Sequence, residues 1–243
     1  MTDGMKLIAL DSSGLVASAA ILEDDRVRAE YTLDFKKTHS QTLLPMLDEI
    51  ARMTELDLST VDAVAVAAGP GSFTGLRIGS ATAKGIGLAL GVPLIEVPTL
   101  AGLAFNLYGA SGLICPIMDA RRQQVYSGLY AFYGDDFVTV REQKAVAAAE
   151  LAEELNGMAE TYQQMIFIGD GVDACRDILE AGLTVPHLYA PANVSRQRAA
   201  SVGALGRRMF LAGQTVSADA HTPVYLRKSQ AEREREEKEK AQA

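Results

Sequence analysis

Two aspartates in this sequence, Asp11 and Asp119, are placed for phosphate and metal chemistry. Each follows a short apolar stretch, Leu7–Leu10 or Leu113–Met118, that predicts a buried β-strand. A carboxylate at a strand end can bind Mg²⁺ through one or two oxygens while a nucleotide supplies other ligands. Phosphate groups also need backbone N–H donors, which bulky neighbouring side chains would obstruct. The residues after each aspartate therefore decide whether a nucleotide fits.

The segments after the two aspartates differ in bulk. Ser12-Ser13-Gly14 follow Asp11 and leave room for phosphate, whereas Ala120-Arg121-Arg122-Gln123 follow Asp119 and crowd it. Two hypotheses stay open: a vestigial nucleotide cleft that binds ATP or ADP weakly, or strand-end aspartates that accept only local hydrogen bonds. The residues of this candidate cleft are Asp11, Ser12, Ser13, Asp119, Gly169 and Gly171.

Other common active-site patterns are absent from the sequence. The glycine-rich segment Gly69–Gly75 is not followed by Gly-Lys-Ser/Thr, so it is not a Walker A loop. A dinucleotide fingerprint with Glu96 as ribose acceptor is disfavoured because several strands precede the segment. The three histidines, His39, His187 and His221, lie far apart and form neither HxxxH nor HExxH, which argues against zinc. No Ser-His-Asp arrangement can be recognised from the spacing.

Composition excludes several classes of protein. Of the 243 residues, 48% are hydrophobic, which is enough for a substantial core, and the net charge is −8. Such a chain is not a polycationic nucleic-acid binder, so if RNA is the final substrate another chain must supply most phosphate contacts. The two cysteines, Cys115 and Cys175, form no CxxC pair and indicate a reducing cytosol. No apolar run could span a bilayer and no signal peptide is recognisable, so we expect a soluble cytoplasmic protein.

A helix rich in small residues is predicted after the buried strand at 61–67. Ser72 or Thr74 is expected to cap this helix. Small residues recur in it every four positions and form one nearly straight ridge: Gly75, Gly79, Ala83 and Gly87. Because glycine costs a helix interior about 0.5–1 kcal/mol relative to alanine, a close contact should compensate. The ridge packs on the protein's own sheet or on a helix of another subunit, and both contacts can hold on different faces.

The same order of predicted elements occurs twice. The first copy comprises strands at 7–10, 16–22 and 26–33, a helix from Thr38, a strand at 61–67 and the small-residue helix. A strand at 94–97 and a helix at 99–108 complete it. The second copy comprises strands at 113–118, 125–132 and 137–140, a helix at 148–157, a strand at 165–168 and a helix at 172–181. A last helix is predicted at 195–212.

Landmarks of the two copies recur at nearly one offset, since Asp119 lies 108 residues after Asp11 and Gly169 lies 100 after Gly69. Two copies of β-β-β-α-β-α resemble the superfamily of actin, hexokinase and Hsp70. We therefore predict an α/β, actin-like (ASKHA) fold with duplicated ribonuclease H-like halves at 6–108 and 113–227. The remaining segment, 228–243, is nearly all charged and is expected to be a frayed helix or disordered.

Five segments, taken together and in this order, resemble the bacterial TsaB family, also called YeaZ. They are LIALDSS, THSQTLLPML, VAVAAGPGSFTGLRIG, MDARRQQVY and PVYLR, and they extend over nearly all of residues 6–227. The resemblance implies an actin-like, non-catalytic partner of TsaD in making threonylcarbamoyladenosine in tRNA. It also implies that TsaD carries the transfer site and that the small ATPase TsaE joins the assembly. Such a subunit has no cofactor of its own and meets tRNA only indirectly.

The resemblance carries its own test of the non-catalytic assignment. Paralogues of the TsaD type read roughly P-x-x-x-V-N-H-x-x-G-H, with two metal histidines on one helix face. The matching stretch here is Pro93–Leu103, in which Thr99 and Leu103 stand at the histidine positions. A leucine and a single hydroxyl cannot replace two imidazoles on a metal. A transferase metal site is therefore not expected.

The resemblance also implies a partner surface. In this family the helices that correspond to 38–53 and 72–90 pack against the same pair in TsaD, and the protein alone is expected to pair with itself. The interface predicted on this basis contains His39, Ser40, Leu43, Leu44, Leu47, Gly71, Phe73, Gly75, Leu76, Arg77, Gly79, Ala83 and Gly87. The competing hypothesis is a free-standing enzyme, either an actin-fold ATP-dependent phosphotransferase or a zinc-dependent, glycoprotease-like acyl transferase.

Overall fold

Two five-stranded mixed sheets form the frame of the protein in a computed structural model that describes residues 4–227. The expectation for segment 228–243 lies outside the described residues. In the first sheet the strand order is β3-β2-β1-β4-β5, with β1, β4 and β5 parallel and β1-β2-β3 antiparallel. The strands are β1 Lys6–Asp11, β2 Ala17–Glu23, β3 Arg26–Leu33, β4 Ala63–Ala67 and β5 Leu94–Val97. Helices α1 His39–Met53, α2 Phe73–Leu90 and α3 Thr99–Ala104 accompany them.

The second sheet repeats this plan. Its order is β10-β9-β6-β7-β8, which is the first order read in reverse with every strand number raised by five. The strands are β6 Leu113–Asp119, β7 Gln124–Tyr133, β8 Asp136–Ala147, β9 Met165–Ile168 and β10 His187–Tyr189. The helices are α4 Ala148–Asn156, α5 Gly171–Gly182 and α6 Ala199–Leu211. The duplicated β-β-β-α-β-α order predicted from the sequence is confirmed.

Strands β1, β2, β4 and β5 of the first sheet are buried on both faces, whereas the edge strand β3 has no buried residue. Side chains of β1 alternate between two cores: Ile8 and Leu10 pack with α1 and α2 on one face, and Leu7 and Ala9 pack on the other. The helix on that second face is α6, which lies in the second half of the sequence. A Cβ atom on Gly203 of α6 would lie 2.2 Å from Leu22 and 3.1 Å from Ala9. The two halves of the chain therefore interlock, because α6 covers the first sheet.

The chain beyond α6 also returns to the first half, and we call residues 216–227 the C-terminal strap. Val216 forms an antiparallel bridge with Leu94 on β5. Further on, the Val224 amide donates to the carbonyl of Ala68 at 2.7 Å. The strap ends at Arg227, whose guanidinium donates to the carbonyl of Ala120 in the β6–β7 turn. It therefore runs from the edge of the first sheet to the second half.

The small-residue ridge of α2 faces inward. A Cβ atom on Gly79 would lie 2.5 Å from Ser12 Oγ, and one on Gly87 would lie 2.9 Å from Leu94. Ala83 between them has no exposed surface. The expectation that this ridge contacts another subunit is therefore wrong, and the alternative of packing on the protein's own sheet is correct. Small residues are needed here because α2 lies closely against the ends of β1 and β5.

Some local expectations differ from the structure. Ser72 caps α2 as predicted, its hydroxyl accepting from the Gly75 amide. At the start of α1, Thr38 makes no side-chain cap, and the hydroxyl of Thr99, the first residue of α3, accepts from the Gly69 amide. Strand β8 is much longer than the predicted 137–140, and β10 was not predicted. Within residues 4–227, no helix is long and apolar enough to cross a membrane.

Candidate functional site: the cleft and the α1–α2 face

A cleft of about 880 Å³ lies between the two halves of the molecule. Turns at strand ends line it from both sides, the β1–β2 turn at Ser13 and the β6–β7 turn at Arg121. Asp119 and Asp170 face it, and Tyr225 and Arg227 of the C-terminal strap form part of its wall. The cleft thus has the location at which an actin-like fold would bind a nucleotide.

Asp11 does not face this cleft. Its side chain is buried, and Oδ1 accepts from both the amide (2.9 Å) and the hydroxyl (2.6 Å) of Ser13. Burial raises the pKa of Asp11 from 3.8 to about 6, although the Ser13 hydrogen bonds and the nearby His39 lower it. The carboxylate is therefore occupied with its own turn and is not presented to a metal in the cleft.

The small residues after Asp11 contact the start of α2. The Ser72 amide donates to the Ser13 carbonyl at 2.6 Å, and a Cβ atom on Gly71 would lie only 2.3 Å from the same oxygen. Ser12 Oγ donates to the Gly75 carbonyl at 2.9 Å. Ser12 and Ser13 are both buried. This turn consequently makes contacts with its own chain where a phosphate would have to bind.

The side chain of Asp119 also contacts its own turn. Asp119 Oδ1 accepts from the Arg121 amide at 2.7 Å, and Oδ2 lies 3.3 Å from the Arg121 guanidinium. Arg121, Arg122 and Gln123 all have positive φ, at 66°, 58° and 58°, so this bulky turn is left-handed throughout. Asp170 accepts a long bond from the Asp119 amide, and burial raises the pKa of Asp170. The side chains here satisfy one another instead of leaving an open magnesium site.

The two Gly-x-Gly turns occupy equivalent positions in the two halves. Gly69 has φ 121° and Gly169 has φ 111°. A Cβ atom on Gly171 would lie 2.9 Å from the Ile117 carbonyl oxygen, as one on Gly71 would approach Ser13. These glycines therefore serve close backbone packing between strand ends. Among residues 4–227 no group of three His, Cys, Asp or Glu side chains is arranged to hold a metal ion.

Thr99 and Leu103, at the positions where the paralogue motif has histidines, are core residues. Thr99 has no exposed surface and Leu103 is 1% exposed. The Thr99 hydroxyl accepts a hydrogen bond from the Gly69 amide at 3.0 Å. Both side chains thus stabilise the packing of α3, and neither is available as a ligand.

A polar array that the sequence analysis missed joins Ser80, His221 and Glu96. His221 Nε2 lies 2.8 Å from Ser80 Oγ, and Nδ1 lies 2.6 Å from Glu96 Oε1. The geometry resembles a Ser-His-acid triad, but Ser80 is 4% exposed and His221 is 1% exposed. His221 lies 125 positions after Glu96 and 141 positions after Ser80, so no local spacing in the sequence could have indicated this array.

The predicted partner interface divides into two groups. Ser40, Leu44 and Arg77 are exposed, and His39, Gly71 and Phe73 are half-buried. The remaining seven are buried in the protein's own core and are not available to a partner: Leu43, Leu47, Gly75, Leu76, Gly79, Ala83 and Gly87. The inference failed for these seven because α1 and α2 bury those faces on the first sheet.

The outer face of α1 and α2 is instead formed by other residues. Leu44 is 55% exposed and Leu88 is 57% exposed. Ala81 and Gly85 lie on the same exposed side of α2, and a Cβ atom on Gly85 would meet nothing within 4 Å. Met53 at the end of α1 is 71% exposed. We call these five residues the α1–α2 face; it combines apolar side chains with small residues that permit close approach.

Comparison with known proteins agrees with this architecture. The YeaZ structure from Pseudomonas aeruginosa superposes with a TM-score of 0.78 at 26% identity, covering 91% of this chain and all of that one. An inorganic polyphosphate/ATP-glucomannokinase from Arthrobacter superposes with a TM-score of 0.50 at 16% identity, over 86% of this chain and 99% of that one. The second likeness concerns the fold alone and supports the actin-like assignment.

Sequence comparison identifies the family. A family profile described as tRNA N6-adenosine threonylcarbamoyltransferase (TsaD) matches residues 29–235. The tRNA threonylcarbamoyladenosine biosynthesis protein TsaB of Bacillus subtilis is 32% identical over 230 residues, covering 94% of this chain and 96% of that protein. Together with the fold and the YeaZ likeness, these matches show that the chain belongs to the TsaB (YeaZ) family of tRNA threonylcarbamoyladenosine biosynthesis proteins.

Proposed function

We propose that this chain is a non-catalytic subunit that activates TsaD for threonylcarbamoyladenosine formation in tRNA. It pairs with TsaD through the α1–α2 face, TsaE joins the assembly, and tRNA is met only indirectly. In the absence of TsaD the same face pairs two copies of this chain. The protein acts in the cytoplasm and needs no cofactor of its own.

The observation that carries the proposal is the α1–α2 face itself. Leu44 and Leu88 are each more than half exposed on neighbouring helices, and Ala81 and Gly85 add little bulk to the exposed side of α2 that carries Leu88. Helices approach closely where residues are small, so the ridges of a second helix pair could pack between the leucines. A few such buried anchors supply most of the affinity of an interface.

The polar geometry of the cleft supports the non-catalytic part of the proposal. Ser13 and Asp119 are engaged by their own turns, and Thr99 and Leu103 are buried. A nucleotide-dependent or metal-dependent transfer would need these groups to be accessible. The hypotheses of a free-standing phosphotransferase or zinc acyl transferase are therefore disfavoured.

The test is co-purification with TsaD of the double variant Leu44→Glu/Leu88→Glu. Because each substitution places a charge where an apolar side chain would be buried, we expect the affinity to fall at least about 30-fold. The matched control is Leu188→Glu, a substitution of a leucine that is 51% exposed on β10 of the other half. Sedimentation velocity of the isolated proteins reports self-pairing in parallel.

Retention of TsaD by the double variant at wild-type affinity would place the interface elsewhere. Turnover of ATP, or stoichiometric zinc, in the isolated wild-type chain would contradict the non-catalytic assignment. Both assays use the complete chain, and circular dichroism confirms that each variant is folded.

A further inference from the structure

The buried array of Ser80, His221 and Glu96 connects α2, β5 and the C-terminal strap. Lys84, one helical turn after Ser80, donates to the carbonyls of Asp219 and His221 at 3.1 and 3.0 Å. The Thr222 amide lies 3.3 Å from the carboxylate of Glu96, which also contacts the imidazole. We call Ser80, Lys84, Glu96 and His221 the clasp. It joins side chains of the first half to a strap segment that forms no helix or sheet strand of its own.

The clasp is not placed for nucleophilic catalysis. Ser80 Oγ lies on the buried side of α2 against the imidazole, and the serine is 4% exposed. None of the four clasp residues is among those that line the cleft between the halves. A substrate acyl group would therefore have no approach to the Ser80 hydroxyl. Its contacts instead determine where the strap lies.

Past the clasp, the strap crosses from one half of the molecule to the other. The Val224 carbonyl leaves no room for a side chain at Gly69, and the Tyr225 ring packs on Phe73 with centroids 4.6 Å apart. Two residues later the guanidinium of Arg227 donates to the Ala120 carbonyl. That carbonyl belongs to the β6–β7 turn on the opposite wall of the cleft. The strap is thus fixed to the first half at its start and touches the second half at its end.

We propose that the clasp fixes the C-terminal strap and that the strap holds the two halves at one separation, so that the cleft neither opens nor closes. A strap without regular secondary structure has few backbone bonds of its own, so side-chain anchors decide whether it stays in place. Two clasp side chains, Ser80 and Glu96, meet at the imidazole of His221, so loss of this ring removes both contacts. The device acts within the isolated chain and does not depend on any partner.

The test is hydrogen exchange of the full chain carrying His221→Leu. The leucine fills the position with an apolar side chain but cannot make the contacts of the imidazole with Ser80 and Glu96. We expect the amides of 221–227 to exchange at least about tenfold faster than in wild type, while β9 in the second sheet is unchanged. His187→Leu, on β10 in the other half, is the matched control and should leave the strap protected. Because a buried leucine could unfold the protein, Glu96→Gln and Ser80→Ala provide milder variants with the same expected direction.

Cleft width is measured by pulsed electron paramagnetic resonance between spin labels at Leu15→Cys, on one wall of the cleft, and at Arg122→Cys, next to Arg121 of the other wall. The native cysteines, Cys115 and Cys175, are buried. Wild type should give one narrow distance distribution, and the clasp variants a broadened one. Unchanged strap exchange and an unchanged distribution in all three variants would overturn the proposal. Labelling of wild-type Ser80 by a fluorophosphonate would also overturn it, since that reaction requires an accessible nucleophile.

Discussion

Gly75 lies directly against the backbone of Ser12: a Cβ atom on Gly75 would stand 2.1 Å from the Ser12 carbonyl oxygen. The contact is reciprocal, because Ser12 Oγ donates to the Gly75 carbonyl. The first turn of α2 is thereby held against the end of β1. With the close contacts at Gly79 and Gly87, this contact keeps the ridge of α2 inside the molecule.

Gly75→Ala is therefore expected to destabilise the protein by about 3 kcal/mol, because a methyl group would overlap a backbone carbonyl that cannot move independently. Gly85→Ala is the matched control on the same helix. Its added methyl meets nothing, so alanine should stabilise the helix by about 0.5–1 kcal/mol. Urea denaturation followed by circular dichroism measures both, and equal effects of the two substitutions would show that the ridge does not pack inward.

The periodicity of the sequence predicted the sheets well but not the orientation of α2. The short apolar stretches that end at Asp11 and Asp119, and the recurrence of Gly69 at Gly169, indicated the duplicated order because strand ends and tight turns have local backbone requirements. The spacing of Gly75, Gly79 and Ala83 also indicated a close contact correctly. It could not tell which side of α2 is buried, since the exposed side of the same helix carries small and apolar residues as well.

Features formed by residues far apart along the chain could not be predicted from the sequence. Half of the residues of β8 are polar or charged, and the segment becomes a strand because it pairs along β7. His221 looked like an isolated histidine, because its partners Ser80 and Glu96 become neighbours only when the strap folds back over the first half. Partner and cofactor assignments rested on family resemblance and remain proposals.

Arg122 offers a test of the left-handed β6–β7 turn. Its φ of 58° is a conformation that costs an L-residue about 1–2 kcal/mol. Arg122→Gly is therefore expected to raise the free energy of unfolding by about 0.5 kcal/mol, after the greater unfolded-state entropy of glycine is subtracted. Arg122→Val should lower it, since a β-branched residue tolerates positive φ least. Both are measured by urea denaturation, and a valine variant as stable as the glycine variant would contradict the turn geometry.

Asp11 should give the protein a distinctive pH dependence. Its pKa is raised from 3.8 to about 6 in the folded state, so the native protein retains a proton that the unfolded chain releases. Stability is consequently highest below the unfolded pKa and falls as the pH rises from about 4 to about 6, then levels off. Asp11→Asn removes this dependence. Between about pH 4 and about pH 6, the free energy of unfolding of the variant should therefore rise by about 3 kcal/mol relative to that of wild type.

The measurement for Asp11 is urea denaturation of wild type and variant at intervals between about pH 4 and about pH 7. The exposed Asp177→Asn on α5 is the control and should follow wild type throughout. A constant difference between wild type and Asp11→Asn would mean that the carboxylate is not desolvated in the folded protein.

The cleft should be insensitive to magnesium nucleotides. Ser72 already donates to Ser13, and Arg121 already contacts Asp119 through its amide and guanidinium, so phosphates would have to displace contacts on both walls. A ligand at 100 times its Kd would stabilise the protein by about 2.7 kcal/mol, which raises Tm by several degrees for a chain of this size. We expect no such rise: millimolar Mg-ATP or Mg-ADP should leave Tm within about one degree of its value in magnesium chloride alone. A saturable rise in Tm that is abolished by Asp119→Asn would instead restore the nucleotide hypothesis, because only a ligand bound at this carboxylate would respond to its loss.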